Sequence, residues 1–221
     1  MADRGKHATI VAIFVLAILG GIGLSKLAFA DTLSNPGFED PNLLNGAMSL
    51  TIPGWMQEGD GSGNVYNVAS GRSQLPQPVE GYNVGVMYFY NQTDYAQHII
   101  SQPPVSALAV NTEYQLTFSI GNPKGRIYLG KWTSSSALTV TVYFVAGTDL
   151  NISNAVGQVF SMPLADIGPG TFQQHSISFD TSDAEFLAGQ PLSVVFRVEN
   201  NGTPVGLAGC YIDNVRLCVI Q

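Results

Sequence analysis

Hydrophobic and polar residues alternate with a period of two along most of the chain, and Gly, Pro, Asn and Asp interrupt the alternation. Only DAEFLAG, residues 183–189, has a helical pattern, and it is short. Because no helix-length segments separate the strands, the pattern predicts an all-β fold, an antiparallel β-sandwich of the jelly-roll type. The predicted strands are NVYNVAS, YNVGVMYFY, YAQHIIS, EYQLTFSIG, RIYLGKW, ALTVTVYFVAG, FQQHSISFD, LSVVFRVEN and CYIDNVRLCVI.

Residues 1–30 have the features of a secretory signal peptide. Arg4 and Lys6 precede an apolar run of about 14 residues, and AFA at 28–30 offers small residues to a signal peptidase. A retained membrane anchor is the alternative, although the run is shorter than the ~20 residues that span a bilayer. We therefore predict cleavage near Ala30, export, no stable membrane anchor after processing, and a single domain over residues 31–221.

The charge of the chain excludes several partners. It has 9 Lys and Arg against 16 Asp and Glu, a net charge of −7, and loss of the predicted leader brings this to about −9. Nucleic acids and anionic membranes attract basic patches, so neither is expected as a partner. Cations are better candidates.

One predicted strand carries aromatic side chains on both faces. In VMYFY, Tyr88, Phe89 and Tyr90 follow one another, and successive side chains of a strand point to opposite sides. One face can belong to the core, whereas the other meets neighbouring residues, a ligand or a second chain. A homodimer that covers this face is expected.

The cysteines and histidines suggest no reactive centre. Cys210 and Cys218 lie eight residues apart in one strand, about 26 Å when extended, whereas disulfide-bonded Cα atoms lie within about 7 Å. Buried thiols are expected, with an intersubunit bridge as the alternative. His98 and His175 lie in predicted strands outside any zinc or serine-hydrolase motif, so we expect them to be structural.

The last strand places a carboxylate among apolar residues. In a simple alternation, Asp213 shares one side with Tyr211, Val215 and Leu217, and the opposite, wetter side carries Ile212, Asn214, Arg216 and Cys218. An ionised acid that faces a core is costly unless it is paired, bound to a metal or protonated. Each alternative implies a different function for Asp213.

Four motifs in order suggest a superfamily. NPGFEDP (35–41), IPGW (52–55), VEGYNVGV (79–86) and YIDNV (211–215) together resemble the calcium-stabilised sandwiches of carbohydrate-binding modules and galactose-binding-like proteins. Calcium prefers six to eight hard oxygen ligands. Glu39, Glu80 and Asn83 are the expected ligands, with Asp213 as a competing fourth; the alternative is that Glu39 and Glu80 are solvated loop acids.

Within that superfamily, the chain resembles the cyanobacterial Stig cyclases of hapalindole, fischerindole and ambiguine biosynthesis. The resemblance rests on a leader followed by one module, on NPGFEDP, VMYFYN and GCYIDNVRL. It implies a calcium-dependent enzyme that converts a geranylated isocyanovinyl indole by Cope rearrangement, cation cyclisation and carbon–carbon bond formation. It further implies that Asp213 is the acid and that Tyr88 and Phe89, with Trp132 and Leu138 as weaker candidates, bind the substrate.

Two other classes of function remain open from the sequence. A non-catalytic carbohydrate-binding protein would stack sugars on Tyr88, Tyr90 and Trp55, and a surface adhesion protein would hold calcium without a ligand. An enclosed apolar pocket around Asp213 favours the cyclase, whereas an open groove with a polar rim favours the sugar-binding protein.

Overall fold

The structure is a computed structural model that describes residues 28–31, 33–68, 77–92, 96–102, 107–123, 126–127, 130–131, 138–201 and 205–220. Within these residues it is a β-sandwich of antiparallel strands. The strands are β1 (Ala28–Asp31), β2 (Met48–Ser49), β3 (Met56–Gly59), β4 (Ser62–Asn67), β5 (Asn83–Gln92), β6 (Ala96–Ser101), β7 (Glu113–Asn122), β8 (Arg126–Ile127), β9 (Gly130–Lys131), β10 (Leu138–Ala146), β11 (Ala155–Pro163), β12 (Thr171–Asp180), β13 (Leu192–Asn200) and β14 (Val205–Ile220). None of the described residues forms a helix long and apolar enough to cross a membrane.

Two sheets form the sandwich. The seven-stranded sheet has the order β12-β7-β14-β5-β4-β2, with β1 paired to the end of β14, and the five-stranded sheet has the order β11-β10-β13-β6-β3. Strands β8 and β9 form a separate two-stranded ribbon. The long strands arise from the alternation of apolar and polar residues, since this pattern gives a strand one face to bury.

The inter-sheet core is built from the inward-facing residues of both sheets. Trp55 stacks on Phe38 with ring centroids 5.4 Å apart and meets the edge of Phe196 at 5.7 Å. Its indole nitrogen donates to the carbonyl of Asn35 at 3.2 Å. These contacts fix the N-terminal segment against the core, because Phe38 is fully buried.

A second apolar cluster lies on the outer face of the seven-stranded sheet. Tyr211 and Tyr88 belong to it, whereas their strand neighbours Ile212 and Phe89 belong to the inter-sheet core. Alternation along β5 and β14 therefore buries aromatic residues on both sides of this sheet. We call the set the outer-face cluster; it comprises Tyr66, Val68, Val84, Val86, Tyr88 and Tyr211, with Met48 and Phe172 packed against it.

A β-bulge in β14 changes which side the following residues face. The register with β7 shifts between Asp213 and Arg216, and Asn214 has φ 50°. Residues before the bulge follow the alternation of Tyr211, but Val215 and Leu217 lie in the inter-sheet core. The prediction of one continuous side for Tyr211, Asp213, Val215 and Leu217 is thus wrong, because the extra residue reverses the alternation.

Most predicted strands are confirmed, and the differences are local. The segment RIYLGKW forms only the short pair β8 and β9, and the expected helix at 183–189 is a single 3-10 turn at Glu185–Leu187. Strand β11 escaped prediction because most of its side chains are exposed or half-buried and its alternation is weak. Strands β2 and β3 are too short to give a periodic signal.

Both cysteines are free, as the spacing predicts. Cys210 is fully buried and burial raises the pKa of its thiol to about 12, so this thiol is inert as a nucleophile. Cys218 is half-buried instead of filling the core. It pairs with Ala30, and β1 therefore spans the predicted cleavage position.

The two histidines of the predicted mature chain are both held in the neutral form by burial. His175 packs on Phe160 with ring centroids 4.3 Å apart, and burial lowers its pKa. Burial lowers the pKa of His98 from 6.5 to about 4, and interaction with the backbone of Glu58 opposes this shift. Between these two pH values the imidazole of His98 is protonated in the unfolded chain but stays neutral in the folded protein. Acid therefore favours unfolding, and the contribution of His98 to the unfolding free energy is present above pH 6.5 and is lost as the pH falls towards 4.

The lowered pKa of His98 predicts that acid reduces the stability of the folded protein and that His98→Gln removes this pH dependence. Between pH 6.5 and pH 5, the unfolding free energy of the wild type should fall by about 1.5 kcal/mol more than that of the variant. Urea unfolding of both proteins at several pH values measures this difference. Equal pH dependence in the two proteins would show that His98 is not buried in the neutral form.

Candidate active site

Asp213 is a fully buried carboxylate held by backbone N–H groups. Val79 and Glu80 donate to its Oδ2 at 2.6 and 3.1 Å, and Asn214 donates to its Oδ1 at 2.7 Å. The loop before β5 therefore closes over the end of this side chain. Oδ1 accepts one hydrogen bond from the described residues and keeps a lone pair on which a proton can reside.

The surroundings raise the proton affinity of this carboxylate. Burial raises the pKa of Asp213 from 3.8 to about 6, the three backbone hydrogen bonds oppose this rise, and the negative charge of Glu39 adds to it. Desolvation dominates because the charged form loses its hydration. Asp213 can thus be protonated in a useful fraction near neutral pH, as a general acid requires.

Asp213 lies on the outer face of the seven-stranded sheet, level with residues from five other strands. Asp213 pairs with Ser119 of β7. On the other side its neighbour Ile212 pairs with Gly85 of β5, so Asp213 lies level with Val84. The row across the sheet consists of Met48, Tyr66, Val84, Asp213, Ser119 and Gln174. The acid therefore borders the outer-face cluster.

The next rows supply aromatic residues and space. One row holds Asn64, Val86, Tyr211, Gly121 and Phe172, and the row beyond holds Ser62, Tyr88 and Gly209. A Cβ on Gly121 would lie 2.6 Å from the ring of Phe172, so the glycine allows this ring to lie flat on the sheet. The result is a ring-lined surface on the outer face of this sheet that begins at Asp213, and its three tyrosines are buried.

Of the predicted substrate-binding residues that the structure describes, one lies on this surface. Tyr88 is there, but Phe89 and Leu138 lie in the inter-sheet core, and the structure does not bring them to Asp213. Phe89 is separated from Tyr88 because adjacent residues of a strand face opposite sides. Trp132 lies outside the described residues.

Sequence reasoning missed three aromatic residues of this surface: Tyr66, Phe172 and Tyr211. Tyr211 carried a usable signal, because it precedes Asp213 by two residues and faces the same way before the bulge. Tyr66 and Phe172 arrive from distant strands, and only strand order places them here.

The N-terminal segment meets the start of β5 through Glu39 and Asn83. Glu39 Oε1 accepts from the backbone N–H groups of Tyr82 and Asn83, both at 2.9 Å. The Asn83 amide donates to the carbonyls of Phe38 and Pro41, at 3.2 and 3.1 Å. Its Oδ1 is buried and has no hydrogen-bond partner, so a hard oxygen is left without a donor or a cation.

Glu80 contributes its backbone to this region, not its carboxylate. Its side chain forms an exposed ion pair with Arg216 at 3.0 Å, and Arg216 also donates to Asn214 at 2.8 Å. Across the described ranges, no three His, Cys, Asp or Glu side chains converge in a way that could hold a metal ion. Of the predicted calcium ligands, the structure brings together only Glu39 and Asn83.

The aromatic platform expected for a sugar-binding protein is incomplete. Trp55 is buried in the inter-sheet core against Phe38, so it offers no face to a ligand. Tyr88 lies on the opposite side of the seven-stranded sheet from that core, in the outer-face cluster. A platform that needs the rings of both Trp55 and Tyr88 is therefore not formed, and the side chain of Tyr90, the third predicted ring, lies outside the described part of the chain.

Comparison with solved structures identifies the fold. A Stig cyclase, Fisc, from Fischerella sp. TAU in complex with (3Z)-3-(1-methyl-2-pyrrolidinylidene)-3H-indole has a TM-score of 0.66 and 22% identity, with 87% of this chain and 98% of that chain covered. A cyclase from the same organism in complex with 4-(1H-indol-3-yl)butan-2-one has a TM-score of 0.65 and 22% identity, with 86% and 97% covered. Carbohydrate-binding modules of the β-sandwich superfamily reach 0.52 at 12% identity, with 76% and 58% covered.

No curated protein matches the chain in a sequence search. The family comparison is positive: the model of the HpiC1-like family, described as HpiC1 cyclase, matches residues 30–218. This match includes the N-terminal segment with Glu39, the aromatic strand β5 and the Asp213 strand β14. The β-sandwich is thus that of an enzyme, and the chain belongs to the HpiC1-like cyclase family.

Proposed function

We propose that the protein is an indole alkaloid cyclase that acts on a geranylated isocyanovinyl indole by Cope rearrangement, cation cyclisation and carbon–carbon bond formation. Membership of the cyclase family supports this proposal, and so do the indole compounds bound to the two Fischerella proteins of the same fold. The observation that carries it is the position of Asp213, a buried acid with a raised pKa at the border of the outer-face cluster.

The acid would start the cyclisation. Protonated Oδ1 of Asp213 transfers its proton to an alkene carbon of the rearranged substrate, which forms a C–H bond and leaves a carbocation. The indole ring then attacks the cation, a carbon–carbon bond forms, and loss of a ring proton restores aromaticity. One proton enters and one leaves, so the product is an isomer of the substrate.

The aromatic surface would fold the substrate for the Cope rearrangement and stabilise the carbocation. A pericyclic rearrangement needs a substrate that is folded into its reactive conformer, and an apolar, water-poor surface favours compact conformers. A carbocation is stabilised by the faces of aromatic rings, each by about 0.5–2 kcal/mol. Tyr211 and Phe172 provide such rings in the row next to that of Asp213, and Tyr88 provides one a row further along the sheet.

A direct assay tests this function. The purified protein is incubated with calcium and the geranylated isocyanovinyl indole, and the products are separated by chromatography with mass detection. A new isomer of unchanged mass is expected. Unaltered substrate, with protein that is folded and calcium-loaded, would contradict the proposal.

We further propose that calcium stabilises the loops around the site. The fit rests on the unpartnered Oδ1 of Asn83 and the adjacent carboxylate of Glu39, both hard oxygens of the kind that calcium prefers. These two residues would hold the ion, which would supply positive charge that ties the N-terminal segment to the start of β5. Asp213 then remains available as the acid.

Calcium removal should therefore destabilise the protein. With free calcium about 100-fold above its Kd, binding adds about 2.7 kcal/mol to the unfolding free energy, so a chelator should lower the Tm. Glu39→Gln should abolish the calcium-dependent part of the Tm, and Glu185→Gln, an exposed residue, should retain it. Differential scanning calorimetry with and without chelator measures this. A Tm that ignores the chelator would contradict the calcium site.

Export after cleavage near Ala30 and a homodimer remain predictions. Mass spectrometry of the secreted protein tests the cleavage position, and sedimentation tests the oligomeric state.

A further inference from the structure

The bulge in β14 places Arg216 on the same face of the seven-stranded sheet as Asp213. Asp213 pairs with Ser119 and Arg216 pairs with Thr117, so three steps along β14 oppose two steps along β7. Residues three positions apart in an unbroken strand face opposite sides, but the added residue returns Arg216 to the side of Asp213. The two residues of β7 correspond to about 6.8 Å along the sheet. A guanidinium group therefore lies near the acid because of the bulge.

The guanidinium of Arg216 bridges two distant segments of the chain. Its Nε donates to Oδ1 of Asn214 at 2.8 Å, and its Nη2 donates to Oε2 of Glu80 at 3.0 Å. Asn214 belongs to the bulge of β14, whereas Glu80 belongs to the loop before β5 and lies 136 positions away. Arg216 thus ties this loop to the last strand.

Both partners of Arg216 also hold the carboxylate of Asp213. The backbone N–H of Asn214 donates to Oδ1, and the backbone N–H of Glu80 donates to Oδ2. Val79, the neighbour of Glu80, donates a second hydrogen bond to Oδ2. The contacts form a closed hydrogen-bonded ring that runs from Asp213 through Asn214, Arg216 and Glu80 back to Asp213. The orientation of the acid is therefore coupled to the position of Arg216.

The loop that covers Asp213 is attached mainly by polar contacts. Val79 is 49% exposed and Tyr82 is 75% exposed, so these side chains bury little apolar area. An isolated exposed ion pair contributes little to stability. One guanidinium that makes two charge-assisted hydrogen bonds, to partners that both contact the same carboxylate, belongs to a network and has a larger effect on local order.

We propose that Arg216 is a positioning residue for the acid. It acts through Glu80 and Asn214 to keep the loop closed over Asp213 and to fix the orientation of the carboxyl group, and it makes no contact with the substrate. The inference rests on the proposed cyclase function and gives the carboxylate of Glu80 a role other than metal binding. A closed loop also limits the access of water to the carbocation.

Steady-state kinetics with the geranylated isocyanovinyl indole test this role. Arg216→Met and Glu80→Gln should each lower kcat two- to fivefold with unchanged KM, because the substrate still binds but fewer molecules present the acid correctly. The double variant should lose no more than either single variant, since both changes remove the same contact. Glu185→Gln, which removes an exposed carboxylate elsewhere, should keep the wild-type kcat.

A charge exchange distinguishes positioning from a general structural effect. Glu80→Arg alone should lower kcat at least as much as Glu80→Gln, because two guanidinium groups repel each other. Glu80→Arg combined with Arg216→Glu should recover kcat, because the ion pair forms again with its charges exchanged. A wild-type kcat in Arg216→Met, or losses that add in the double variant, would overturn the proposal. A raised KM with unchanged kcat would also overturn it, since Arg216 would then act on substrate binding.

Amide hydrogen exchange tests the positioning independently of activity. The N–H groups of Val79 and Glu80 should exchange at least threefold faster in Arg216→Met than in the wild type, while those in the centre of β7 should not change. Equal exchange in the two proteins would overturn the proposal even in an active enzyme. Faster exchange in a folded protein that forms no isomer would uphold the contact between Arg216 and the loop and refute the cyclase.

Discussion

Asp213→Asn should lower kcat by about 10²–10⁴-fold, the usual contribution of a general acid. The amide cannot deliver a proton to an alkene, while its size and shape match those of the carboxyl group. The two donors to Oδ2, from Val79 and Glu80, can still be satisfied by the amide oxygen. Rates of isomer formation for the two proteins, at equal concentrations of folded enzyme, measure the effect.

The pH dependence gives the control for this substitution. Because the pKa of Asp213 is about 6 and the protonated form is the active one, the wild-type rate should be highest below pH 6 and fall about tenfold per unit above it. The residual rate of Asp213→Asn should not follow this profile. A folded variant with the wild-type rate would refute the assignment of Asp213 as the acid.

Phe38→Ala should cost about 3–5 kcal/mol of unfolding free energy, the range for the loss of a buried phenylalanine. The ring is fully buried, stacks on Trp55 and fills the space beside Gly85, where a Cβ would lie 2.6 Å from it. For a chain of this size the Tm should fall by roughly 6–20 °C. Thermal unfolding followed by circular dichroism measures this loss.

Phe186→Ala provides the matched control. Its side chain is 81% exposed, so the same truncation should leave the Tm within a degree or two of the wild type. If Phe38→Ala were equally harmless, the N-terminal segment would not be anchored to the core, and the position of Glu39 beside Asn83 would have no structural support.

The sequence predicted the bounds of the long strands better than it predicted which side of the sheet their residues face. Long strands such as β7 and β13 have strong alternation, and their bounds follow directly from it. The bulge at Asn214 left no comparable signal, because one added residue changes the side that Val215 faces without changing the local pattern. For every residue of β14 after the bulge, the sequence therefore predicted the wrong side of the sheet.

The candidate site was predictable in part for the same reason. Asp213 was found because a carboxylate among apolar residues is unusual, and Tyr88 because its strand is aromatic on both faces. The hydrogen bonds from Val79 and Glu80 join residues more than 130 positions apart, and local patterns cannot reveal them. Phe89 and Leu138 look equally suitable in the sequence, and only the sheet to which each face belongs excludes them from the outer-face cluster.

Proton transfer to the substrate is the central claim, and isotope incorporation tests it most directly. The reaction is run in D₂O, where the exchangeable proton of Asp213 becomes a deuteron, and the product is analysed by mass spectrometry and NMR. The account predicts one deuterium per product molecule, on the carbon of the former alkene. A cyclised product without deuterium would contradict acid-initiated cyclisation by Asp213.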